Sequence, residues 1–147
     1  MKSTTKENAM KSIQPAPLLK FAFLADAAVS AAAAALHLLL PRALADWLLL
    51  PNILLLGTGA FLAAYAALLL VFARSKSIWR ALVQIVIAGN VAWALACLGL
   101  LSTAAVRPSA PGVAFLIVQI VAVLAFAALE LAGLKRSEAA AVILAHA

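Results

Sequence analysis

A carboxylic acid, a hydroxyl group and an imidazole stand in one strongly apolar stretch, FLADAAVSAAAAALHLLL, near the start of this chain. Asp26, Ser30 and His37 are the residue types of a hydrolase triad, whereas a lone acid in such a stretch is suited to carrying a proton. The triad is excluded by the spacing, because Ser30 and His37 would lie about 10 Å apart along one helix axis. The acid therefore needs another explanation.

The later apolar stretches carry polar residues of their own, namely Gln84, Asn90, Trp93, Gln119 and Glu130. Gln119 and Glu130 are eleven positions apart, a spacing that puts both on one helix face. Asp26 has the same spacing to His37. Because the first and fourth helices would run in opposite directions, Asp26 and Glu130 fall in the same half of the membrane. We expect a polar seam between the first, third and fourth helices, with Asp26 as its innermost acid.

Two interpretations of this seam stay open. A charge at the centre of a bilayer costs at least about 2.5–3.5 kcal/mol, so these side chains should face the interior of a helix bundle. The seam either moves a proton through Asp26 or joins helices, each hydrogen bond then contributing about 0.6 kcal/mol. Joining or packing is the interpretation favoured for Gln84, Asn90, Trp93 and Gln119. His37 and Glu130 lie near helix ends, within reach of interfacial water.

The elements that must position these residues are four apolar stretches, at about 18–40, 53–72, 78–101 and 113–134. Each is long enough for a spanning helix, which needs about 20 residues. The chain is 67% hydrophobic and 11% charged, against about 45–50% and about 25% in soluble domains. The sequence predicts an all-α integral membrane four-helix up-and-down bundle at 18–134. Residues 1–17 are predicted to be a disordered cytoplasmic tail, and residues 135–147 a cytoplasmic C-terminal tail.

The basic residues set the predicted orientation. Nine of the eleven Lys and Arg border one side of the bundle, and only Arg42 and Arg107 border the other. The positive-inside rule then predicts both termini in the cytoplasm, in a cell inner membrane. Nucleic acid is not an expected partner, because the cations form no basic face. A cleavable signal peptide is the alternative, since AVSAAAA follows a Lys-bearing start, and cleavage would leave three spans.

The sequence lacks the residues that several kinds of chemistry require. Cys97 is the only cysteine, so an intrachain disulfide and a CxxC motif are impossible. His37 and His146 would lie at opposite ends of the bilayer, which argues against a zinc or haem pair. No cofactor and no metal are expected, and enzymatic activity is disfavoured.

Two features of the sequence resemble known families of membrane proteins. AGNVAW in the third stretch, with ELAGLKR closing the fourth, resembles uncharacterised four-span proteins of bacterial inner membranes. The place of Asp26 in the first helix is similar to that of the acid in small multidrug-resistance transporters. That resemblance implies exchange of a proton at Asp26 for a cation, although the aromatic residues around that family's acid are absent and this chain is longer.

Two hypotheses for the function follow. The first is a non-enzymatic multi-pass membrane protein, an oligomeric or accessory subunit whose polar seam is structural. Rows of small residues support it, for example Ala88, Ala92 and Ala96, because they let helices of a homo-oligomer or a larger complex approach closely. The alternative is a small proton-coupled transporter with Asp26 as the intramembrane proton carrier.

Overall fold

The computed structural model describes residues 12–103 and 106–146. These residues form five helices and two short strands. In chain order they are β1 (Ser12–Ile13), α1 (Pro17–Leu39), α2 (Pro41–Leu48), α3 (Asn52–Arg74), β2 (Ile78–Trp79), α4 (Arg80–Ser102) and α5 (Ala110–His146).

Four of the helices, α1, α3, α4 and α5, are long and apolar enough to cross a membrane. The predicted all-helical architecture with four apolar helices is confirmed. Their outward faces carry large apolar side chains, including Phe21, Val71, Ile85 and Val118. A surface of this kind suits hydrocarbon rather than water. The fold therefore indicates a multi-pass membrane protein.

Prolines mark the helix starts. Pro17 opens α1, Pro41 opens α2, and Pro51 is the residue before α3. Proline is tolerated in a first turn, where its missing N–H would have had no intrahelical partner. Leu49 ends α2 with a left-handed backbone at φ 52°. The connection between the first two long helices was expected to be a loop. It contains the helix α2, which Pro41 begins after a break at Leu40.

The long helices pack in the order α3, α1, α5 and α4, and α3 and α4 have hardly any close backbone contact. Glycine brings α1 close to both of its neighbours. A Cβ added at Gly59 of α3 would lie 2.8 Å from Cβ of His37, and one added at Gly133 of α5 would lie 2.7 Å from Cα of Leu19. These approaches make α1 and α5 the centre of the bundle and leave a crevice between α3 and α4.

The two ends of the bundle differ. At one end, which we call the terminal end, the backbone N–H of Ala16 donates to Oγ of Ser137 at 2.9 Å. At the opposite end, which we call the α2 end, the backbone N–H of Ser109 donates to the carbonyl of Leu48 at 3.0 Å. Successive long helices therefore alternate in direction. The start of α1 and the last third of α5 lie at the same end.

The predicted disordered tail needs correction at residues 12–16, and residues 1–11 lie outside the described part of the chain. β1 pairs with β2 in antiparallel register, Ser12 with Trp79 and Ile13 with Ile78. Ile13 and Ile78 are both buried in the apolar cluster at the terminal end. Burial of these two side chains is the physical reason that the short ladder forms.

The predicted end of the fourth helix at residue 134 is also wrong, because α5 continues to His146. No glycine or proline follows Leu134, so the sequence contains no stop signal. The added turns are held at the terminal end by Ser137 and by an ion pair between Arg80 Nε and Glu138 Oε1 at 2.6 Å. Residue 147 lies outside the described part.

Candidate functional site

Asp26 is the centre of a buried hydrogen-bond cluster that joins all four long helices. It is 1% exposed, and its carboxylate accepts three hydrogen bonds. Ser30 Oγ donates to Oδ1 at 2.9 Å, Tyr65 OH donates to Oδ2 at 2.9 Å, and Asn90 Nδ2 donates to Oδ2 at 3.1 Å. Three donors offset much of the cost of removing a carboxylate from water. The carboxylate of Asp26 is thus equipped to hold a negative charge.

A second acid shares one of these donors. Asn90 Nδ2 also donates to Glu130 Oε2 at 3.1 Å, and Glu130 is 0% exposed. Its other oxygen, Oε1, has no hydrogen-bond partner among the described residues. Both amide hydrogens of Asn90 are therefore used, one on each acid. We call Asp26, Ser30, Tyr65, Asn90 and Glu130 the acid cluster.

The helix register puts the acid cluster deep in the bundle. Asp26, Tyr65 and Asn90 each lie nine or ten residues from the terminal end of their helices. At about 1.5 Å per residue, this is roughly 14–15 Å along the axis, near the middle of a hydrocarbon layer of about 30 Å. Polar groups at such a depth are expected to serve a function or to join helices.

A cavity of about 80 Å³ adjoins the cluster, and we call it the Asp26 cavity. Its polar lining comes from Asp26, Ser30, Tyr65, Asn90 and Gln119. Its aromatic lining comes from Phe61, Trp93 and Phe126. The ring of Phe61 stacks on Tyr65 at 6.0 Å and on Trp93 at 5.7 Å, nearly parallel to both, and so bridges α3 and α4. The space beside Asp26 is thus bounded by one acid, Asp26 itself, together with polar groups and aromatic rings.

The other predicted residues lie toward the α2 end. Trp93 Nε1 donates to Gln119 Oε1 at 3.2 Å. His37 is buried, and its Nδ1 lies 3.2 Å from Thr58 Oγ1. A second cavity of about 110 Å³, which we call the His37 cavity, is lined by these four residues and by Cys97. Because Trp93 and Gln119 line both cavities, their hydrogen bond lies between the two.

Gln84 does not join the others. Its side chain is exposed on α4, so the structure corrects its predicted place in the seam. Six residues separate it from Asn90, which turns it about 120° away from the inward face. It also lies only four residues from the start of α4, where a bilayer is more polar.

Sequence reasoning left out Thr58 and Phe61 of α3, and it treated Tyr65 as a packing residue whose hydroxyl group needs a partner. They stand three and four positions apart, on one helix face. Their spacing was the available signal, since a tyrosine at this depth needs a partner for its hydroxyl group. It was obscured because α3 has no charged residue between Asn52 and Arg74.

The arrangement suits proton binding and hydrogen bonding rather than nucleophilic chemistry. Ser30 donates to Asp26, while His37 contacts Thr58, so no serine–imidazole pair exists among the described residues. The described residues contain no group of three or more His, Cys, Asp or Glu side chains that could hold a metal ion. What remains is a pair of acids that share a donor, of which Asp26 lines a cavity.

Comparison with known proteins adds no further constraint. No protein-family model matches this chain, and neither a curated protein nor a solved structure matches it. The class that the fold and the site define is a multi-pass helical membrane protein with a buried acid cluster.

Proposed function

We propose that this protein is a small proton-coupled membrane transporter in which Asp26 and Glu130 carry the proton together. The observation that carries the proposal is the sharing of Asn90 Nδ2 by the two acids, beside the Asp26 cavity. A purely structural seam has no need of adjoining empty space. The membrane is a cell inner membrane with both termini cytoplasmic, an orientation supported by the distribution of Lys and Arg.

The first step of the argument concerns charge. Neither acid forms an ion pair with a basic side chain of the described residues. The two acceptor oxygens each lie 3.1 Å from the same nitrogen of Asn90, and two negative charges this close repel by a few kcal/mol at an effective dielectric constant of about 20. One proton on the pair removes this repulsion. Glu130 holds that proton in the resting state, because its Oε1 lacks a donor while Asp26 accepts three hydrogen bonds.

The second step concerns access. A cavity of about 80 Å³ has room for a few water molecules. Water in the Asp26 cavity would give the proton a path to the pair, and a transported molecule could take its place there. Loss of the proton from the pair would then be coupled to the occupancy of the cavity.

The test is a proton-flux assay with unaltered and variant protein. Everted vesicles are acidified inside, and Na⁺, K⁺ and small amines are added in turn while the pH gradient is followed by a fluorescent dye. We expect at least one addition to dissipate the gradient with the unaltered protein, and not with Asp26→Asn. Gln84→Leu is the matched control, because it removes an exposed polar group and should leave the flux unchanged. A gradient that responds equally with Asp26→Asn would overturn the proposal.

A second candidate is the oligomeric or accessory subunit, and exposed small residues on α3 and α4 favour it. Ala63 and Ala67 of α3 and Ala92 of α4 are exposed, and a Cβ added at Gly89 would meet nothing within 4 Å. Such surfaces permit close approach of another helix. Under this function Ala92→Leu lowers the oligomeric mass measured by light scattering in detergent. Val118→Leu on the outer face of α5 is the control and leaves the mass unchanged.

A further inference from the structure

We propose that the His37 cavity is a binding site for a small uncharged molecule that donates one hydrogen bond to Nε2 of His37. Phenols and short alcohols are the chemical class that fits. The proposal goes beyond proton transport and does not require it. Four observations support it: the tautomer of His37, its unpartnered nitrogen, the chemistry of the cavity wall and the size of the cavity.

The tautomer follows from Thr58. Its Oγ1 donates to the carbonyl of Leu55 at 3.1 Å, within α3. A hydroxyl group has one hydrogen, so at His37 the same oxygen must accept. The hydrogen at the 3.2 Å contact therefore belongs to Nδ1 of His37. In a neutral imidazole this leaves Nε2 as a bare acceptor.

This acceptor is buried without a partner. His37 is 2% exposed, and Nε2 has no hydrogen-bond partner among the described residues. The ring is held in place, because Phe115 packs on it at 5.7 Å and Gly59 allows α3 to approach its Cβ closely. A buried acceptor gains free energy from any donor that reaches it. A fixed side chain that lines a cavity and has an unpartnered nitrogen therefore has the properties of a recognition group.

The cavity wall selects an uncharged ligand with an apolar body. Most of the lining is aliphatic or aromatic, including Leu50, Leu54, Ala96, Leu100, Phe115 and Leu116. No Asp, Glu, Lys or Arg is among the side chains that line it. A charged ligand would lose its hydration here without gaining a countercharge. The cavity has a volume of about 110 Å³, somewhat smaller than the apolar cavity of about 150 Å³ that takes up benzene, so the ligand must be small.

The site adjoins the Asp26 cavity through Trp93 and Gln119. If the proposed transport function is correct, a molecule bound at His37 is one side-chain movement away from the acid cluster. Binding at His37 alone, without transport, is equally measurable. Failure of one proposal therefore leaves the other standing.

The chain contains a natural reporter, because its only cysteine, Cys97, lines the same cavity. The unaltered protein in lipid nanodiscs is treated with N-ethylmaleimide, and alkylation of Cys97 is followed by intact mass. The probes are phenol and anisole, which share a ring but differ in the donor. We expect phenol to slow alkylation at concentrations about fivefold below those of anisole, in keeping with one hydrogen bond.

The control is His37→Phe, in which this preference for phenol should vanish. The quantity compared is the ratio of the anisole concentration to the phenol concentration that gives equal protection. The two probes partition differently into lipid, but this difference is the same for both proteins and cancels when their ratios are compared. Equal protection by phenol and anisole in the unaltered protein overturns the proposed hydrogen bond, and protection by neither overturns the site.

A second measurement needs no variant. The chain has two histidines, so ¹⁵N-histidine labelling gives only the ring signals of His37 and His146. Phenol should shift one Nε2 resonance of acceptor type, and anisole should not. If phenol leaves the histidine signals unchanged, the site is refuted even where His37→Phe fails to fold.

Discussion

Asp26 and Glu130 accept hydrogen bonds from the same amide nitrogen of Asn90, each at 3.1 Å, although the three residues lie on three different helices. This contact is the point at which α1, α4 and α5 are joined by polar groups. A single side chain therefore controls both the stability of the bundle centre and the charge on the pair of acids.

Replacing Asn90 with leucine should destabilise the fold by about 2–3 kcal/mol, because two buried acids lose their common donor. The measurement is the midpoint of reversible unfolding in a denaturing detergent. Gln84→Leu on the same helix is the control and should change stability by less than about 0.5 kcal/mol, since Gln84 is exposed. Equal effects of the two substitutions would contradict a central role for Asn90.

The proton is assigned to Glu130, and infrared spectroscopy tests the assignment. A protonated carboxyl group has a carbonyl stretch that a carboxylate lacks. Glu130→Gln should remove this band from the neutral-pH spectrum, because it removes the absorbing carboxyl group. Asp26→Asn leaves the carboxyl group of Glu130 in place, so it should not remove the band in this way. If the band disappears only in Asp26→Asn, the resting proton is on Asp26 instead.

Tyr65→Phe removes a donor from Asp26 while keeping the aromatic ring and its stack on Phe61. We expect a loss of about 1.5–3 kcal/mol in unfolding free energy, the usual range for a hydrogen bond to a charged group. The double variant with Asp26→Asn should show that the two effects are not additive, with a coupling of about 0.6 kcal/mol or more. Strict additivity would mean that the hydroxyl group does not act through Asp26.

Gly133→Ala should separate α1 from α5. The added Cβ would lie 2.7 Å from Cα of Leu19 and 2.8 Å from its backbone nitrogen, and backbone atoms cannot move aside as a side chain does. A loss of about 1–3 kcal/mol is expected from such overpacking. Gly99→Ala on α4 is the matched control, because nothing lies within 4 Å of its new methyl group. Helix propensity should make that control neutral or more stable by up to about 1 kcal/mol.

The sequence indicated the four long helices because hydrocarbon permits few alternatives to a helix of about 20 apolar residues. The same constraint gave the depth of Asp26 and Asn90, and periodicity gave the inward faces of both and of Glu130. The expected depth of Glu130, near a helix end and interfacial water, was wrong, because α5 continues to His146 and Glu130 is 0% exposed. What escaped prediction is decided by contact between distant parts of the chain. The hydroxyl group of Tyr65 has its partner on α1, and its own helix offers no sign of one.

The element boundaries at the terminal end escaped prediction for a related reason. Ile13 looked like part of a polar tail because its burial depends on Ile78, which is far along the chain. Ser137 looked like part of a second tail, yet it is buried against Ala16. Composition alone cannot reveal such pairings, since neither partner is unusual in its own neighbourhood.

The short ladder between β1 and β2 has a mechanical consequence. It ties the chain before α1 to the connection between α3 and α4, and Ser137 ties the same chain to α5. All four spans are thus joined at the terminal end, whereas the backbones of α3 and α4 have hardly any close contact along their lengths. These contacts restrain the spans at the terminal end, so a movement that widens the crevice would be smallest there.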